Sequence, residues 1–135
     1  MREAEMSEFS KSLSVTASAL RAQATRLRHV SENISNADTP GYRRKTVPFE
    51  VERGRDDGVE RVTTGRVKLD RRQLPDIFDP SHPLADETGH YQGSNVDLMI
   101  EIADAREAQR SYEANLKLFD QARQMSASLM ELLRK

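Results

Sequence analysis

The sequence predicts a mainly α protein, in which long N- and C-terminal helices form an antiparallel-type coiled coil and a central extended arm carries small β elements. Three observations lead there. Large apolar residues near the N-terminus recur every seven positions. The stretch from 96 to 135 contains neither Gly nor Pro. The residues between 43 and 95 hold all the prolines but one and all the glycines but one.

The N-terminal helix rests on Met6, Leu13, Leu20, Leu27 and Ile34, a heptad line. Ala17, Ala24 and Ser31 fall four residues after three of the leucines, so large and small residues alternate and a partner helix can approach closely. Arg21, Arg26, Arg28 and Glu32 supply the charged flanks of a solvated face. An ordinary amphipathic helix would read similarly, but the repeated heptad favours a coiled coil. Pro40-Gly41 ends the helix, since Pro removes a donor and the pair suits the centre of a type II turn. Residues 1–42 therefore form the first unit.

The C-terminal unit spans 96–135. Ser94 or Asn95 can act as N-cap, and Asp97 adds negative charge in the first turn. Leu98, Ile102, Ala105, Ala108, Tyr112, Leu116, Phe119, Ala122, Leu129 and Leu133 follow a three/four spacing. A continuous helix there would be roughly 60 Å long at 1.5 Å per residue. Such a helix cannot fold inside a small globule, so it pairs with the N-terminal helix and leaves chain to contact other molecules. Tyr112, Leu116 and Phe119 give it more than one apolar side.

Residues 43–95 form the arm, expected to be partly flexible. Val47, Phe49 and Val51 alternate, as do Val67 and Leu69, which points to short strands. Arg53-Gly54-Arg55-Asp56-Asp57-Gly58 reads as a polar loop or hairpin tip. Asp79-Pro80-Ser81-His82-Pro83 is extended or turned, because each Pro disfavours helix at the residue before it.

The chain has 135 residues, with 36% hydrophobic and 32% charged residues and no Cys or Trp. The apolar share is low for a single-core enzyme of this length. It suits a thin helical protein that completes its core with neighbours. Zero Cys removes disulfides and thiolate metal sites. His29, His82 and His90 are isolated, without the helical spacing of a zinc motif. Asp76, Asp79, Asp86 and Glu87 lie in a Pro-rich segment with few apolar neighbours to raise a carboxyl pKa. We therefore expect no enzyme activity, no catalytic residues, no cofactor, no metal and no small-molecule substrate.

The net charge of −1 hides strong polarisation. Residues 43–72 are basic, including Arg43-Arg44-Lys45 and Arg71-Arg72, while residues 73–104 contain no Lys or Arg. Only Tyr42 could stack beside the first basic run, so nucleic acid is not expected as a partner. Docking of the basic stretch on the acidic one, within a chain or between chains, would give orientation more than affinity. The alternative is two solvated faces. The acidic N-terminus does not look like a secretory signal, and no apolar run would insert in a membrane.

Asn33-Ile34-Ser35-Asn36-Ala37-Asp38-Thr39-Pro40-Gly41-Tyr42 closely resembles the Asn-x-x-Asn-x-x-Thr-x-Gly-Tyr signature of bacterial flagellar rod and hook proteins. In that family it follows the N-terminal helix. Asn95-Val96-Asp97-Leu98, with Glu107-Ala108-Gln109-Arg110-Ser111-Tyr112-Glu113-Ala114-Asn115, resembles the matching C-terminal motif. The segment from Asp79 to Tyr91 looks like the Pro-x-His-Pro-x-Ala-Asp-x-x-Gly-x-Tyr stretch of one short, proximal-rod type. The length and the long C-terminal helix fit that type better than the other short rod type. Residues 53–75 match no pattern.

The resemblance implies a structural subunit of the basal-body proximal rod, in a helical assembly with copies of itself and other rod proteins. It implies a coiled coil lining a tube, and export through the flagellar type III apparatus without a cleaved signal, to a periplasmic rod that transmits torque. Leu13, Leu20, Leu27, Ile34, Tyr112, Leu116 and Phe119 would carry the coiled coil and subunit packing. Asn33, Asn36, Thr39, Pro40, Gly41 and Tyr42 would set the turn, their polar side chains satisfying backbone groups at the helix end. A simple helix stop is the plainer alternative. A soluble helical adaptor or export chaperone would also accommodate the seams, but gives no reason for the two end motifs to occur together.

Overall fold

A computed structural model describes residues 2–134, with the side chain of Arg2 excepted. Helix α1 runs Arg2–Ser35 and helix α2 runs Leu98–Arg134. Between them lie β1 (Lys45–Thr46), β2 (Phe49–Arg53), β3 (Glu60–Thr64), β4 (Lys68–Leu69), β5 (Asp76–Phe78) and β6 (His90–Gln92). The protein is thus mainly helical, with small antiparallel strand pairs.

The helices lie side by side and antiparallel. Asn33 meets Glu101 at one end, and Phe9 shares a cavity with Met125 near the other. Along α2 the residues that lose solvent trace a four/three alternation: Glu101, Ala105, Ala108, Tyr112, Asn115, Phe119, Ala122, Ser126, Leu129 and Leu133, with Asp104 and Ser111 beside it. That is the periodicity of a helix seam, but many of its side chains are small or polar. Leu98, Ile102 and Leu116, which also follow the three/four spacing, lie outside the seam and are exposed.

Helix α2 starts two residues later than the sequence predicts, and its cap differs. The Asp97 carboxylate accepts the Met99 N–H at 3.0 Å, so Asp97 is the N-cap. Ser94 and Asn95 are engaged elsewhere: Ser94 Oγ donates to the Ala37 carbonyl, and Asn95 Oδ1 accepts the Arg44 N–H.

The arm is one bent antiparallel ribbon. Its base is β1 with β4 (Lys45↔Leu69) and its far part is β2 with β3, from Phe49↔Thr64 to Arg53↔Glu60. The two ladders are interrupted at Pro48, which has no N–H to offer; the Gly65 N–H bonds to its carbonyl at 2.9 Å. The ribbon folds back on α1, where Arg61 Nε donates to Ser14 Oγ at 2.6 Å and Ser18 Oγ accepts the Val62 N–H at 3.1 Å. Residues 53–58 form the hairpin tip, as predicted. A second hairpin pairs β5 with β6, from Asp76↔Gln92 to Phe78↔His90. The Pro-rich stretch forms its connecting turns, with His82 stacked on Tyr91 at 3.8 Å.

Little of this is a core. Among the described residues the buried apolar side chains are Ala22, Val30, Leu74 and Ala108. Val51, Phe78, Met99 and Leu132 are each at least 66% exposed.

Candidate functional site

The most deeply buried large side chains are polar. Asn33 and Glu101 are both at 0% exposure, and they meet where the end of α1, the start of α2 and the two flanking loops converge. The motif stretch Asn33–Tyr42 supplies one side of this junction, and the Asn95–Leu98 motif supplies the other.

Asn33 uses its whole amide. Its Oδ1 accepts the Lys45 N–H at 2.9 Å and the Tyr42 hydroxyl at 2.8 Å. Its Nδ2 donates to the Lys45 carbonyl at 2.9 Å and to Glu101 at 3.3 Å. One side chain on the last turn of α1 thereby holds the chain that has just left the helix, and also the facing helix. Burial of the Tyr42 phenol, with the nearby charge of Glu32, pushes its pKa up.

Glu101 is neutralised by the guanidinium of Arg44, whose Nη2 also reaches Asp104 at 2.6 Å. Asp104 in turn lies 3.6 Å from Arg26 on α1. Lys45 pairs with Glu32 at 2.5 Å, which holds the Glu32 carboxyl below and the Lys45 ammonium above their ordinary ranges. Arg43 donates to the Asp70 and Arg72 carbonyls, and Asn95 Nδ2 reaches the same two oxygens. The basic run Arg43-Arg44-Lys45 therefore meets its partners within the chain, two of its acids being in the lysine- and arginine-free segment.

The turn between the motifs is built as its residues require. Asn36 Nδ2 bonds back to the Glu32 carbonyl at 2.9 Å, a second donor to an oxygen that already accepts the Asn36 N–H at 3.1 Å. Thr39 Oγ1 donates to Asn36 Oδ1, and the Tyr42 N–H closes a turn on the Thr39 carbonyl at 3.1 Å. Pro40 and Gly41 occupy its centre, and Gly41 has φ 75°, the left-handed value of a type II turn. The Gly41 N–H reaches across to the Gln92 carbonyl at 3.1 Å.

Of the residues expected to pack helices, Leu13, Leu20, Leu27, Tyr112 and Phe119 are half-buried. Ile34 and Leu116 are exposed, at 37% and 40%. Ala24 and Ser31, the small members of the N-terminal seam, are exposed as well. Helix α1 is contacted on two flanks: Ser14 and Ser18 face the ribbon, while Arg26, Val30 and Asn33 lie toward α2 or its loop.

Sequence reasoning missed Arg44, Asn95 and Glu101 as members of the junction. The signal for Glu101 was present: counting the four/three stripe back from Ala108 and Ala105 lands on it. The junction has charges that neutralise one another and hydrogen bonds that close loops, which is the chemistry of a joint. Among the described residues no cluster of His, Cys, Asp or Glu could hold a metal. No described helix is long and apolar enough to cross a membrane.

Residues 13–43 match the family described as flagella basal body rod protein, and residues 87–132 match that described as flagellar basal body rod FlgEFG protein C-terminal. The chain is 46% identical to a flagellar basal-body rod protein FlgC of Agrobacterium fabrum, over 96% of this chain and 98% of that one. It is 33% identical to the FlgC of Salmonella typhimurium, over 87% and 92%. With the FlgC of Bacillus subtilis the identity is 30%, over 90% and 95%.

Proposed function

This chain belongs to the FlgC family of flagellar basal-body rod proteins and is a structural subunit of that rod, and we propose that its two terminal helices assemble there as a coiled coil. In this reading they line the inside of a helical tube, next to copies of the same chain and to other rod proteins. Leu13, Leu20, Leu27, Ile34, Tyr112, Leu116 and Phe119 pack the helices within and between subunits. Asn33, Asn36, Thr39, Pro40, Gly41 and Tyr42 form the turn that leads the chain out of the coiled coil.

The observation that carries this reading is the imbalance of apolar surface. Four apolar residues are buried, while 17 large ones are exposed among the described residues. A monomer with that surface lacks a sufficient core of its own, and exposed apolar area on this scale marks contact with other molecules. Heterologous contacts between identical subunits build an open helical assembly when the rotation they impose does not close a ring. The chain passes unfolded through the flagellar type III apparatus and joins the drive shaft in the periplasm. A cysteine-free chain with so small a core unfolds readily enough for that route.

The test pairs two sets of variants. Leu20→Asp with Leu27→Asp should abolish swimming and remove the chain from purified basal bodies. Leu116→Asp, at an exposed position, should do the same without changing the helicity of the free chain by circular dichroism. Normal swimming in both sets overturns the proposal.

A further inference from the structure

Two surfaces of the helix pair are left uncovered, and they differ in charge. Toward the start of α1 and the end of α2 there is an open groove of about 630 Å³, lined by Phe9, Thr16, Leu118 and Met125. It continues past Leu129 and Leu132 as an adjoining cavity of about 560 Å³ that also includes Phe9 and Met125. The charged residues lining it, among those described, are Glu5 and Glu8, both exposed, with Glu8 3.8 Å from Lys11 on the same helix. The groove is apolar with an acidic rim.

At the opposite end of the pair, the start of α2 presents an apolar face to solvent. Met99 is 82% exposed, Leu98 47% and Ile102 46%. Arg106 and Arg110 continue this flank at steps of four, are exposed, and make no ion pair among the described residues. This face is apolar with a basic edge. From Leu98 to Arg110 it is about 18 Å long, and the groove wall from Leu118 to Leu132 is about 21 Å, at 1.5 Å per residue.

We propose that the groove of one copy receives the Leu98–Arg110 face of a second copy of this chain, with Glu5 and Glu8 meeting Arg106 and Arg110. Complementary charge, similar length and apolar centres on both surfaces support this pairing. Met99 and Met125 lie about 39 Å apart along α2, so the two surfaces cannot meet within one molecule. Since they are not the same patch, the contact propagates from copy to copy and does not close a dimer. The inference rests on the rod reading and names which surfaces join neighbouring copies.

The absence of native cysteine gives a clean test. Cells producing one copy as Met99→Cys and another, distinguished by a tag, as Met125→Cys are oxidised while swimming, and their basal bodies are purified. The expected result is a disulfide between the tagged and untagged copies, in excess over either homodimer. Glu5→Lys with Glu8→Lys should reduce it about tenfold, as loss of two rim ion pairs implies. Arg106→Glu with Arg110→Glu on the other copy should restore it. Incorporation into the basal body without the mixed disulfide overturns the docking and leaves the rod reading intact. Capture of the Met125→Cys copy by a different rod protein has the same effect. Failure to incorporate at all, with the unsubstituted tagged chain also absent, sinks the rod reading itself.

Discussion

Replacing Asn33 with Ala would leave the Lys45 N–H, the Lys45 carbonyl, the Tyr42 hydroxyl and Glu101 each without one of its partners. Buried polar groups stranded in this way cost about 1–3 kcal/mol each when fully desolvated. Asn33→Ala should therefore destabilise the helix pair by about 2–4 kcal/mol. Tyr42→Phe removes one neutral hydrogen bond and should cost about 1 kcal/mol. Urea titration followed by helical circular dichroism, at a chain concentration high enough for the helices to be formed, measures both; equal losses would show that Asn33 is not central. The glycines give a second comparison. At Gly41 an added Cβ meets nothing within 4 Å, so Gly41→Ala carries only the left-handed backbone penalty, about 1–2 kcal/mol. At Gly89, with φ 83°, the Cβ would also sit 2.9 Å from Phe78 and 3.0 Å from Pro80, and the same substitution should lower the urea midpoint further. Asn33, Gly41 and Tyr42 were legible in the sequence because their types are demanded by a helix end and a turn. Glu101 was legible only by extending the four/three stripe back from Ala108 and Ala105, because an acid on a helix otherwise reads as solvated. The basic run Arg43–Lys45 raised the question of a partner without identifying it.

At the level of elements, the β2–β3 ribbon has a pH dependence of its own. The Asp57 carboxylate accepts from Arg61 Nη2 at 2.7 Å and from the Val59 N–H at 2.9 Å, which together hold its pKa at about 2, against an ordinary 3.8. A carboxyl whose folded pKa is depressed adds stability above its unfolded pKa and loses it as pH falls through the folded value. The tip should therefore stay closed above pH 4 and loosen between about pH 4 and pH 2. Amide exchange at Val59 and Arg61, followed in that window, reports it, and Asp57→Asn should remove the pH dependence. The helices were legible as elements, and the turn between Thr39 and Tyr42 has the geometry its residues imply. The alternation of Val47, Phe49 and Val51 identified a strand, yet Phe49 is 42% and Val51 70% exposed, so alternation here did not mean burial. The leucine line of α1 predicted the helix, and Leu13, Leu20 and Leu27 are half-buried; the ribbon's approach through Ser14 and Ser18 lies on a second flank that a single heptad count does not anticipate.

Taken whole, the molecule has weak apolar cohesion and one buried ionic joint. Removing two charges from water is costly, and a pair such as Arg44–Glu101 adds little net stability over a well-packed apolar one. What it does is penalise every other helix register, since a slip of one turn leaves a buried charge alone. A double-mutant cycle on Arg44→Met and Glu101→Leu should give a coupling of about 2 kcal/mol or more, each single change costing more than the pair. Coupling near zero would remove the joint from this role. The free chain should be stable only marginally, with both terminal helices largely disordered at low concentration. A cooperative, strongly helical monomer by circular dichroism would contradict that expectation. The thin apolar content was plain from composition; the polar joint that fixes the helix register was not, since it depends on four segments meeting at one place.

The position of that joint has a mechanical consequence. It sits at one end of a pair of rods and acts as a clamp, while at the opposite end the helices are lined by an open groove and joined, among the described residues, through small and apolar side chains alone. A beam fixed at one end deflects most at the other. The Phe9–Met125 end can therefore shift to follow a neighbour's contour, while the Asn33–Glu101 end keeps its angle. In the tube proposed above, one chain shape could in this way be seated at several non-equivalent places, with the misfit taken up where the helices are least constrained.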